Sequence, residues 1–66
     1  MRADDTIEIC MTEVAEGDFA TLYTDGTNEV WIPHSQIKGK TLLNNSTGRD
    51  YELVITRWIA FKKGLI

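Results

Sequence analysis

Ile7, Ile9 and Met11 alternate with Thr6, Glu8, Cys10 and Thr12. A period of two is that of a strand with one buried face, so residues 6–14 are expected as a strand. The alternation breaks at Glu13-Val14, where a bulge or a strand end is expected. Glu16-Gly17-Asp18 supplies turn residues. Residues 19–24 read as a second strand, with Ala20 and Leu22 on one side and Phe19, Thr21 and Tyr23 on the other. Asp25-Gly26 tolerates positive φ and signals a two-residue hairpin. Residues 29–32 form the returning strand, with Val30 and Ile32 facing one way and Trp31 the other.

Pro33 lacks an amide proton and ends that strand. Residues 33–37 are too few for a stable α-helix and suit one 3₁₀ turn, with Ile37 plugging the bottom of the fold. Residues 38–50 are polar, with a short strand expected at 41–43 and a mobile loop over 44–49. Residues 51–56 form the last strand, with Tyr51, Leu53 and Ile55 on one face. Thr56 suits the N-cap of a short helix. Trp58, Phe61 and Leu65 stand at i, i+3 and i+7, the spacing of one helical face, and Trp58 and Phe61 are assigned to core packing. Lys62 and Lys63 suit the last turn and Gly64 the C′ position. The apolar Leu65-Ile66 end suggests a tail that is tied down. Three strands joined by short turns, a one-turn helix, a strand and a capping helix give a mainly β fold. It is expected as one small SH3-like or OB-like barrel of about five strands spanning residues 1–66.

Composition narrows the chemistry. The 66 residues hold one cysteine, Cys10, and one histidine, His34. That excludes an internal disulfide framework and a four-ligand Cys/His zinc site. An unpaired cysteine fits a reducing compartment, and no signal peptide or membrane-length apolar run is seen, so a soluble cytoplasmic chain is expected. Asp4, Asp5 and Glu8 lack the spacing and central glycine of a calcium loop, and no glycine pattern cradles a phosphate. His34 and Ser35 are sequence neighbours without a supporting base, and Cys10 has no activating neighbour. The expectation is a protein without catalysis or cofactor.

Charge is uneven. Residues 1–30 carry eight acids against Arg2 alone, whereas residues 31–66 carry six bases against Asp50 and Glu52. Such a division suits an internally paired surface, an acidic face for a basic partner, or a basic face for an anion. If the second and third strands pair through Asp25-Gly26, Phe19, Tyr23 and Trp31 form one aromatic patch, which is either core or a docking surface. With Lys38 and Lys40 beside it, that patch is the expected binding site.

Residues 30–37, Val-Trp-Ile-Pro-His-Ser-Gln-Ile, followed by Trp58-Ile59-Ala60 and Lys63-Gly64-Leu65, resemble a small domain of bacteriophage and prophage proteins. That domain occurs alone or attached to replication and recombination proteins. The resemblance covers the second half of the chain and the strand before it. It departs at residues 38–50, which carry lysine and asparagine where the pattern is acidic. It implies a phage setting and an accessory role. Three functions follow as expectations. One is an accessory module that stacks single-stranded nucleic acid on aromatics beside a basic groove. Another is an inhibitor or adaptor whose acidic half occupies a basic protein surface. The third is a homo-oligomeric structural unit, for example a homodimer.

Overall fold

The computed structural model describes residues 5–43 and 48–66. Most of the loop expected over 44–49 lies outside the described residues, as do Arg2 and Asp4. In chain order the elements are β1 (Thr6–Glu16), β2 (Ala20–Thr24), β3 (Glu29–Pro33), a 3₁₀ turn at His34–Gln36, β4 (Ile37–Leu42), β5 (Asp50–Thr56) and α1 (Arg57–Lys62). The strands form one antiparallel sheet in the order β3-β2-β1-β5-β4. The fold is therefore mainly β, with five strands and a short C-terminal helix. The sheet does not close, so an open sheet replaces the expected barrel. β3 and β4 are its edges. Among the described residues, no helix is long and apolar enough to cross a membrane.

Strand register decides which residues meet. Ile7, Ile9 and Met11 of β1 pair with Ile55, Leu53 and Tyr51 of β5, so the alternation read in the sequence builds the inner face. The ladder slips between Glu13 and Ala15, where the bulge was expected. β2 and β3 add Thr21, Tyr23 and Ile32 to the buried side. Met11, Tyr23, Ile32, Leu53 and Ile55 form the core with Ile59 and Ala60 of α1. Ile7, Ile9, Val30, Ile37, Tyr51 and Leu65 pack around them.

Three expectations change. β4 runs from Ile37 to Leu42 rather than over 41–43. Pairing with β5 forms this edge strand despite Lys38, Gly39 and Lys40, because tertiary pairing overrides weak local propensity. The helix buries Ile59 and Ala60, whereas Trp58 is 47% and Phe61 66% exposed. With only six residues, α1 ends before position i+7, so Leu65 is not on its face. The chain turns at Gly64 (φ 73°), and the Leu65 amide donates to the Ala60 carbonyl at 2.8 Å. The Gly64 amide donates to the Phe61 carbonyl at 3.1 Å. These two bonds make a Schellman cap that returns Leu65 to the core.

The third change sits in the hairpin. Thr24 pairs with Glu29, leaving a four-residue loop. Asp25 accepts from the Thr27 and Asn28 amides at 2.8 Å each, and Gly26 takes φ 98°. Those amide bonds hold the Asp25 carboxyl below its usual pKa. Leu22 therefore pairs with Trp31, and Tyr23 with Val30. Any loop of even length, two residues or four, places Trp31 on the face of Leu22 and opposite to Tyr23. Phe19, Tyr23 and Trp31 thus form no common patch.

Candidate interaction surface

The outward face of the sheet follows from the same registers. Its positions are Glu8, Cys10, Thr12 and Ala15 on β1, Leu22 and Thr24 on β2, and Glu29 and Trp31 on β3. β4 and β5 add Thr41, Asp50, Glu52 and Val54. Four of these are carboxylates: Glu8, Glu29, Asp50 and Glu52. Among the described residues no lysine or arginine takes a paired outward position. Thr12 donates a hydrogen bond to Asp50, which holds two outward side chains together across the β1–β5 pair.

Trp31 stands on this acidic face. It is 47% exposed and paired with the half-buried Leu22. A Cβ built on Gly17 would lie 3.4 Å from the indole and 2.9 Å from the Ala20 carbonyl oxygen. The indole therefore packs over the β1–β2 turn, and only glycine leaves room there. A flat, half-exposed apolar side chain at the edge of a face that carries carboxylates has the character of an interface anchor.

The other expected site residues separate. Phe19, just before β2, is 86% exposed, and its carbonyl accepts from the His34 amide at 2.9 Å. Lys38 is exposed, with Nζ donating to the Ser35 carbonyl at 3.1 Å. Tyr23 is fully buried and is not available to a stacking base.

Lys40 turns toward the inner side of the sheet, because its register partner is the buried Leu53. Its Nζ lies 2.8 Å from Glu13 Oε1 and 4.3 Å from the centre of the Tyr51 ring. β5 separates β4 from β1, so the ion pair bridges the inner face. The Glu13 hydrogen bond raises the Lys40 pKa. The ammonium's contribution to stability is thus present at neutral pH and lost as pH rises through its elevated pKa.

Tyr23 Oη is buried without a hydrogen-bond partner among the described residues. Lys40 and Thr21 stand near it but outside hydrogen-bond geometry, and burial raises the phenol pKa. A buried hydroxyl without a partner costs about 1–3 kcal/mol. Tyr23→Phe is therefore expected to stabilise the fold by about 1 kcal/mol, a rise in Tm of roughly 4–8 °C. Thermal unfolding followed by circular dichroism measures it. A fall in Tm would mean that the hydroxyl is satisfied.

Sequence spacing missed a second exposed group. Arg57, Trp58, Phe61 and Lys62 lie on the outer side of α1. Lys62 Nζ sits 4.8 Å from the Trp58 ring centre. The usable signal was the adjacent pair Ile59-Ala60, which in so short a helix takes the inward side.

Comparison of the chain with family models, with curated proteins and with solved structures finds no match. Function is therefore read from the residues of this chain.

Proposed function

We propose that the protein is a non-catalytic binding module that receives a basic protein surface on its outward sheet face, around Trp31. The observation that carries this reading is an exposed indole at the edge of an outward face that carries Glu8, Glu29, Asp50 and Glu52 and, among the described residues, no lysine or arginine at a paired position. Such a field speeds encounter with a positive partner and repels nucleic acid. The resemblance to phage and prophage domains supports a phage-encoded adaptor or inhibitor acting in the host cytoplasm, where a nucleic-acid-binding enzyme would offer the basic surface.

A second reading has its own support. The α1 face carries Trp58 and Phe61 beside Arg57 and Lys62, the aromatic and basic mixture that stacks single strands. It keeps the expected link to nucleic-acid metabolism but moves the site away from Trp31, Tyr23, Phe19, Lys38 and Lys40.

Two assays separate the readings. The first captures partners from bacterial lysate on wild-type, Trp31→Ala and Glu29→Lys/Glu52→Lys baits at two salt concentrations. The first reading expects a basic protein held by the wild type at low salt and lost from both variants. A partner retained by both variants removes the outward face. The second assay titrates a labelled single-stranded oligonucleotide. Binding that Trp58→Ala abolishes and Trp31→Ala spares supports the second reading instead.

A further inference from the structure

The molecule carries two aromatic surfaces of opposite charge. One is the outward sheet face, where Trp31 and the half-buried Leu22 and Val54 share a side with Glu8, Glu29 and Glu52. The other is the outer side of α1, where the exposed Trp58 and Phe61 stand with Arg57, Lys62 and the next residue, Lys63. Residues 53–66 contain no acid. We propose that a second copy of this chain seats its α1 surface on the outward sheet face, so that copies associate head to tail.

Charge leaves both surfaces unmatched. Among the described residues, Glu8, Glu29 and Glu52 have no ion pair, and neither do Arg57, Lys62 and Lys63. These groups cannot meet within one copy. Ile59 and Ala60 fix α1 to the core on the inner side of the sheet, so its outer side points away from the sheet. The carboxylates lie on the opposite face. Only another copy brings the two surfaces together.

Shape agrees with charge. Adjacent strands stand about 4.8 Å apart, so the outward face from β3 to β5 is roughly 14 Å wide. A helix with its side chains is about 10–12 Å across. One α1 fits on the face over Leu22 and Val54, with Glu29 of β3 to one side and Glu52 of β5 to the other. The joined surfaces differ, so each contact leaves one sheet face and one helix free at the ends. Such a heterologous contact extends as an open stack and does not stop at a two-fold dimer.

Salt dependence separates this contact from a merely apolar one. The chain has a net charge of −3, so whole copies repel, and salt that screens the repulsion strengthens any apolar association. A contact between complementary surfaces weakens instead, because the same salt screens their attraction.

The inference rests on the proposed function only for the choice of the sheet face, and it names that face's occupant. Sedimentation velocity of the purified full chain, freed of nucleic acid, tests it. Mass above the monomer is expected at low salt as concentration rises through a Kd of about 0.1–1 mM, and it falls as salt is added. Glu29→Lys/Glu52→Lys and Lys62→Glu/Lys63→Glu should each weaken self-association at least about tenfold. An equimolar mixture of the two variants should regain it, because the reversed charges again match. A wild-type chain that stays monomeric throughout overturns the proposal. So does self-association that grows with salt or survives either reversal, and so does a mixture that fails to recover when both variants keep the wild-type circular dichroism. A monomeric chain whose Trp31-dependent lysate capture persists leaves the outward-face reading standing. Self-association with empty lysate baits keeps this inference and removes the foreign partner.

Discussion

Ile55→Ala is expected to leave the chain mostly unfolded in buffer at room temperature. Ile55 is fully buried and lies between Ile7 of β1 and Ile37 of β4 in the ladder. It joins the same cluster as Ile59 and Ala60. Truncating a buried isoleucine to alanine costs about 2–5 kcal/mol, because the methyl groups are lost and the neighbours only partly collapse. A chain of this size with no disulfide has a stability of roughly 5 kcal/mol or less. One substitution therefore removes most of it. Ile55→Val removes a single methylene, costs about 0.5–1.5 kcal/mol and should stay folded. Urea unfolding of the three proteins by circular dichroism measures this. A wild-type midpoint for the alanine variant would show that the inner face is not the core.

Thr56→Ala is expected to cost about 1–3 kcal/mol and to loosen α1 first. The buried Thr56 hydroxyl works twice. It accepts from the Ile59 amide at 3.2 Å as the N-cap, and it donates to Gln36 Oε1 at 2.7 Å. The first bond fixes the start of a helix too short to persist alone. The second ties the end of β5 to the 3₁₀ turn between the two edge strands. Thr56→Ser keeps both bonds and should recover most of the loss. Amide exchange reads the order of events, with Ile59 and Lys63 losing protection before Leu53. Equal stability of the alanine and serine variants would show that the hydroxyl contributes nothing.

Some of this architecture was legible in the residues. The Ile7-Ile9-Met11 alternation, the break at Glu13-Val14, the stop at Pro33 and the C′ glycine at Gly64 each follow from local stereochemistry, and each is present. What was not legible depends on parity and on partners distant in sequence. Trp31 and Tyr23 fall on opposite faces because the hairpin loop has an even number of residues. Lys40 reads as a surface base, yet it lies over Tyr51 because β4 pairs with β5. Trp58 and Phe61 fit a helical core stripe that α1 is too short to form. Whether β3 and β4 close on each other is a long-range outcome that no local spacing encodes. The acidic half of the chain was visible as composition. Only Glu8 and Glu29 of that half take outward ladder positions, where Asp50 and Glu52 of the basic half join them, and that sorting needed the registers of β1, β2, β3 and β5.

The most direct measurement places a photo-crosslinking amino acid at Ala15, beside Leu22 on the outward face, and another at Phe61 on the helix. The domain is then irradiated in host lysate. The outward-face reading expects Ala15 to capture a basic protein, with the yield falling as salt rises. Capture at Phe61 alone, or of nucleic acid rather than protein, would contradict it.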